Sequence, residues 1–184
     1  FLTRREDKRT IQLTDDLWHN DYPLFTPGGD TLYFTSDRGG LKAVWRLTHP
    51  DTALTLEQDY YRALSPVTDL DQWVREFTLS PDGEKIALTC GYNRIVIHNL
   101  KTGRSSDLIS GYQPSHLTWH KDSNWLLYQN GNGEFNQDVF LIETTASNPQ
   151  PFNISSHPKD DSRGVLSPNG NWVAWIHEAR KQRE

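Results

Sequence analysis

One hairpin phrase recurs four times in this chain, and a repeat of that size restricts the fold more than composition could. The first copy is Tyr22-Pro-Leu-Phe-Thr-Pro-Gly-Gly-Asp-Thr-Leu-Tyr-Phe-Thr-Ser36 and the second is Glu76-Phe-Thr-Leu-Ser-Pro-Asp-Gly-Glu-Lys-Ile-Ala-Leu-Thr-Cys90. The third, His116-Leu-Thr-Trp-His-Lys-Asp-Ser-Asn-Trp-Leu-Leu-Tyr-Gln129, is degenerate, and the fourth reads Arg163-Gly-Val-Leu-Ser-Pro-Asn-Gly-Asn-Trp-Val-Ala-Trp-Ile176. The equivalent turn positions Pro27, Pro81, Lys121 and Pro168 are 54, 40 and 47 residues apart. That spacing holds about four short strands per repeat.

Each copy reads as strand, turn, strand. Ser/Thr-Pro removes a backbone donor and ends the first strand, and the residues that follow (Gly28-Gly29, Asp82-Gly83, Asn169-Gly170) suit the positive φ of a tight turn. The returning strand, such as Leu32 to Thr35 or Trp172 to Ile176, is apolar at nearly every position, as a strand packed on both faces must be. A third strand follows at Ala43 to Thr48, Arg94 to Asn99 and Asp138 to Glu143. A more polar fourth strand is expected at Arg9 to Leu13, Arg62 to Val67, Ser105 to Ile109 and Pro151 to Ile154.

The expected fold is therefore all-β, a β-propeller of four-stranded antiparallel blades. About three and a half blades are predicted, at 14–67, 73–109, 113–154 and 160–184, forming one partial-propeller domain over 1–184. Such a set leaves strand edges and an apolar blade face without a partner. Closure is expected from further blades or domains of the same polypeptide, or from copies of the chain acting as a homo-oligomer. A four-bladed ring closed by this chain alone is the alternative. The absence of Met and the charged final stretch Glu178 to Glu184 suggest a piece of a longer protein.

Ser80-Pro-Asp-Gly-Glu-Lys-Ile-Ala-Leu88 and Asp30-Thr-Leu-Tyr-Phe-Thr-Ser-Asp-Arg-Gly-Gly40 resemble the WD40-like repeat of TolB-like propellers, and Leu13-Thr-Asp-Asp-Leu-Trp18 fits the lead from one blade into the next. The same repeats build the N-terminal propellers of tricorn-like peptidases, to which Val74 to Gly83 and His157 to Arg163 are similar. The resemblance covers about residues 9 to 178. It is specific for architecture and weak for function, because one scaffold serves many roles.

Composition removes several function classes. With 24 acidic and 19 basic residues scattered along the chain and a net charge of −5, there is no basic stripe for a phosphate backbone, so nucleic acid is not expected. No apolar run reaches the ~20 residues of a membrane helix, so the chain reads as soluble, with periplasm and cytoplasm both open. Cys90 is alone and reads as a small buried residue. No Gly-x-Ser-x-Gly elbow, His-Glu-x-x-His pair or phosphate fingerprint occurs, so neither a catalytic site nor a cofactor is expected. Asp15-Asp16, Asp69-Leu-Asp71 and Asp160-Asp161 read as turn residues, Asn132 to Asn136 as a loop, and Asn153-Ile-Ser155 as a chance match to a glycosylation acceptor. His116 and His120 lie on a strand, where four-residue spacing does not converge on a metal.

Trp45, Trp119, Trp125, Trp172 and Trp175 are expected to pack blade against blade. The connections into each first strand are the expected recognition surface, since loops on a rigid frame carry binding. They bring together Trp18, His19, Asp21, Trp73, Arg75, Glu76, Tyr112, His116, Asp161 and Arg163, aromatics and Arg mixed with acids, as a contact ring for a peptide or protein. Ordinary polar surface is the competing reading. The long connection Thr48 to Leu64, with Glu57-Gln-Asp-Tyr-Tyr61, reads as a short helix or lid, or as an inert insertion. Two functions follow: a non-catalytic scaffold that binds a protein or peptide, or the substrate-gating propeller of a tricorn-like or prolyl-oligopeptidase-like serine peptidase.

Overall fold

The computed structural model describes residues 1–49, 63–131, 136–156 and 159–178. The insertion with Glu57 to Tyr61 and most of the loop Asn132 to Asn136 lie outside the described residues. The chain divides into two compact units, Phe1–Trp73 and Val74–Glu184.

In the first unit a four-stranded antiparallel sheet runs in chain order through β3 (Asn20–Phe25), β4 (Thr31–Ser36), β5 (Ala43–Thr48) and β6 (Leu64–Pro66). The leading segment forms β1 (Leu2–Thr3) paired with β2 (Thr10–Ile11). The sequence reading expected a strand near β2 but not β1, whose charged surroundings carry no alternation. Leu13 packs with Leu32, Phe34 and Leu47, and Leu2, Trp45, Ala63 and Leu64 flank this core. Arg38 holds the start of β3 to the end of β4. Its guanidinium lies 2.9 Å from Asp16 Oδ2, donates to Asn20 Oδ1 at 2.9 Å, and sits over the Phe34 and Trp45 rings. A planar cation suits a site that is apolar on one side and acidic on the other.

The second unit holds two complete four-stranded sheets and a hairpin. β7 (Val74–Leu79), β8 (Lys85–Cys90), β9 (Arg94–Asn99) and β10 (Arg104–Ser110) form the first sheet, and β11 (Tyr112–Trp119), β12 (Trp125–Gly131), β13 (Gln137–Glu143) and β14 (Phe152–Asn153) the second. β15 (Asp161–Leu166) and β16 (Val173–His177) form the hairpin. The sheets stack face to face. Ala87, Ile95 and Ile97 of one meet Trp119, Leu126, Tyr128 and Ile142 of the next. Tyr128 stacks on Phe140 at 5.5 Å, and Trp119 Nε1 donates across to Thr78 O at 3.2 Å. The central strands β4, β8 and β12 carry their buried residues consecutively rather than alternately, as two-sided packing requires. Cys90 is among them, fully buried.

The four turns share one geometry despite different sequences. Thr26, Ser80, His120 and Ser167 each donate a backbone N–H to the residue five positions on, at 2.8 to 2.9 Å. Gly29, Gly83, Ser123 and Gly170 occupy the position of positive φ, at 75°, 71°, 62° and 75°. In three copies the Thr or Ser hydroxyl accepts the N–H of the returning strand at 2.9 to 3.2 Å. In the third copy the imidazole makes a different contact, His120 Nδ1 accepting from Asp122 N within the turn at 3.4 Å. Ser123 also links neighbouring sheets: its Oγ accepts from Asp82 N at 3.0 Å, and its carbonyl accepts from the Lys85 ammonium.

The Trp residues divide. Trp119 is buried and Trp45 and Trp125 are half-buried, as expected of blade packing. Trp172 and Trp175 are 74% and 39% exposed, contrary to that expectation, because no sheet among the described residues lies on the open face of β16.

Candidate binding cleft on the first strands

The first strand of each sheet carries a β-bulge. Its register slips between Asp21 and Leu24 in β3, Val74 and Glu76 in β7, Ser115 and Thr118 in β11, and Ser162 and Val165 in β15. The residue five positions before each turn proline, or before Lys121, is Tyr22, Glu76, His116 or Arg163. Three of these four are left-handed although none is glycine: Tyr22 at φ 52°, His116 at 55° and Arg163 at 55°. Bulky residues enter that region at a cost of about 1–3 kcal/mol, and bulges of this kind re-aim side chains at functional rims.

In the second unit β11 lies against both β7 and β15. Glu76, His116 and Arg163 thereby come to one cleft of about 360 Å³, lined also by Leu117, Thr118, Gly164 and Val165. Gly164 makes the approach possible. A Cβ there would stand 2.6 Å from Val139 Cγ1, inside any real contact, and a tight 3.1 Å from Leu127 Cδ2.

Glu76 is the partly buried member. Removal from water pushes its carboxyl above the ordinary carboxylate range, while the charges of His116 and Arg75 and the backbone N–H groups of His116 and Leu117 pull it back. Its Oε1 is shut off from solvent and accepts no hydrogen bond. Arg163 is exposed, and its backbone N–H donates to Gln129 Oε1 of the neighbouring sheet at 3.2 Å. The Arg75 guanidinium donates to Pro114 O at 2.8 Å, tying β7 to β11. Bulge amides of β11 and β15 are thus approached by acceptors from the preceding sheet, Glu76 for one and Gln129 for the other.

The remaining predicted contact residues lie elsewhere in their own units. Tyr112 is exposed at the start of β11, opposite Gly131. Asp161 differs from the expected loop residue: it begins β15 with 0% exposure, and His177 Nδ1 lies 2.9 Å from its Oδ1. In the first unit Trp18 and Asp21 are exposed, and Asp21 pairs with Lys42. His19 donates its backbone N–H to Asp37 Oδ1 at 2.9 Å, and Trp73 is half-buried. Most of the predicted ring therefore stands on strands, not loops. The sequence reading missed Leu117, Thr118, Gly164 and Val165, although a fixed offset from the turn would have found the bulges that bring them in.

TolB from Acinetobacter baumannii superposes on the chain with a TM-score of 0.70 at 16% identity, over 96% of this chain and 42% of that one. The tricorn protease superposes with a TM-score of 0.66 at 11% identity, over 88% of this chain and 15% of that one. The fold is a partial β-propeller of the TolB and tricorn type. No protein-family model matches the chain. WD repeat-containing protein 35 of Homo sapiens is 28% identical to it over 136 residues, 71% of this chain and 10% of that protein. The chain thus spans less than half of TolB and a small part of the other two. Among the described residues, no helix is long and apolar enough to cross a membrane.

Proposed function

We propose that the chain is a non-catalytic propeller scaffold that binds a protein or peptide through the first strands of its blades, as part of one partial-propeller domain spanning 1–184. One observation carries this reading: Glu76, His116 and Arg163, equivalent by the repeat, converge on a single cleft at β-bulges, two of them with left-handed backbone. Left-handed bulges of this kind re-aim side chains and cluster at functional rims, and His116 and Arg163 both carry one. In the first unit, Trp18, His19, Asp21 and Trp73 are contact residues of that unit by itself in this reading.

Panning a random peptide display library against the chain tests the proposal, with a His116→Ala/Arg163→Ala double variant as counter-selection. Peptides retained by the chain and lost by the variant support it. Peptides held equally by both move the binding site off the cleft.

A second reading, the substrate gate of a serine peptidase, draws on the likeness to the tricorn protease and to a Mycobacterium tuberculosis puromycin-hydrolyzing peptidase, the latter at a TM-score of 0.61 and 16% identity. In that case a peptidase domain belongs to the same polypeptide or complex. Reading the complete gene for a nucleophile elbow decides between the two.

A further inference from the structure

We propose that the cleft between β7, β11 and β15 recognises a carboxylate on an extended peptide, gripped by the Arg163 guanidinium and the His116 imidazole, while the Glu76 side chain turns its buried Oε1 into the cleft to accept an N–H of the same ligand. This inference rests on the scaffold reading and names what the scaffold binds.

Three observations point to that chemistry. The first is charge. The chain carries an excess of acids, yet this cleft is lined by Arg163 and His116 together with Glu76, whose carboxyl also feels the charge of Arg75, and burial favours the neutral form of that carboxyl. Among the described residues neither arginine has a carboxylate within ion-pair distance, whereas Arg38, Lys42, Arg94 and Lys101 each do. Arg75 is committed to the Pro114 carbonyl, which leaves Arg163 at the rim with its planar fork of donors open.

The second is the orphaned acceptor. A buried carboxyl oxygen without a hydrogen bond is destabilising, and a ligand amide or amine that meets Oε1 once the side chain turns it into the cleft removes that cost. The cleft therefore offers cations outside and an acceptor inside, which suits a group carrying a carboxylate and an N–H a few ångströms apart. A peptide terminus does so, and so does an acidic residue with its own backbone amide.

The third is size and lining. About 360 Å³ holds one or two residues, Leu117 and the 56%-exposed Val165 supply apolar contact, and the Thr118 hydroxyl adds a polar point. The bulges also interrupt ladder pairing at 116–117 and 163–164 on two adjacent first strands.

The test is fluorescence anisotropy with the 184-residue chain and four labelled pentapeptides. One is neutral with a free C-terminus, one neutral and amidated, one acidic at its centre and amidated, and one basic and amidated. Binding of the first or third, with the neutral amidated peptide at least about tenfold weaker, is expected, and the preferred one identifies a terminal or a side-chain carboxylate. Arg163→Ala should weaken that binding about tenfold or more and Arg163→Lys less, since an ammonium keeps the charge and loses the fork. Both variants change an exposed side chain, and matching urea midpoints will show that each remains folded.

No binding of either carboxylate peptide to about 1 mM overturns the proposal, as does binding unchanged by Arg163→Ala. If the amidated neutral peptide binds equally well and is lost in Arg163→Ala, the carboxylate inference fails while the scaffold reading stands.

Discussion

β12 and β16 are the same strand of the repeat in two different surroundings. In β12, Leu126, Leu127 and Tyr128 are exposed by 0%, 0% and 1%. In β16, Trp175 and Ile176 sit at the positions of Tyr128 and Gln129 and are 39% and 50% exposed. Both strands are written for two-sided burial, and only β12 has sheets on both faces among the described residues. Apolar residues state what a strand needs; a neighbour decides whether it is met.

The largest expected effect separates the two strands directly. Leu127→Ala should destabilise the fold by about 2–5 kcal/mol, because the lost transfer energy is compounded by a cavity between packed sheets. Ile176→Ala should cost less than about 1 kcal/mol, read from urea unfolding midpoints of both variants. Equal losses would mean that the β16 face is covered in solution.

A smaller effect is expected at the junction of the two regions. Gly164→Ala forces a methyl against Val139 and Leu127 and should cost about 1–3 kcal/mol, with the loss relieved by adding Val139→Ala if the clash is the cause. Failure of that double variant to recover would point to the backbone of β15 instead.

Next come the turns. Gly83→Ala puts a side chain into the left-handed region and should cost about 1–2 kcal/mol. Ser123→Gly relieves the same strain in the degenerate turn but removes the acceptor for Asp82 N. The two terms nearly cancel, and thermal unfolding should show a change within about 0.5 kcal/mol.

The smallest effects concern protons in the two-sided packing. His98 is 3% exposed, its Nδ1 lies 2.9 Å from Ser105 Oγ, and burial depresses its pKa below 6.5. The unfolded chain then binds a proton that the folded one refuses. Stability is full above about pH 6.5 and declines as pH falls below it. Glu76 acts in the opposite sense. Its raised folded pKa means that the unfolded chain ionises first, so its contribution falls as pH rises above about 4.5. Urea midpoints from pH 4 to 8 should show Glu76→Gln gaining on the parent chain toward neutral pH and His98→Asn flattening the acid decline. A parallel shift at every pH would refute both assignments.

Much of this was legible in the residues. Pro followed by Asp-Gly or Asn-Gly marks a turn because of a missing donor and a permitted positive φ, and those are local properties. The apolar runs named the central strands, and Trp119 was correctly read as inter-sheet packing. The degenerate copy kept its turn because the backbone bond from His120 N–H to Trp125 O survives and Ser123 takes the left-handed position of a glycine, which no pattern of Pro and Gly could reveal. The candidate site was half legible: its residues were named, but the reading placed them on loops and made Asp161 a surface contact. The structure sets them on bulged strands and buries Asp161, because register slips depend on cross-strand partners rather than on nearby residues.

The amino-acid sequence by itself determined the hairpins, their turns and their four-strand period, since each arises from backbone chemistry within a few residues. Tertiary structure decided which greasy faces are covered, that Gly164 lets β15 settle onto β12 and β13, and that Glu76, His116 and Arg163 meet. Those outcomes depend on contacts between residues some forty positions apart, and no local rule of φ, ψ or hydrophobic period carries information over that span.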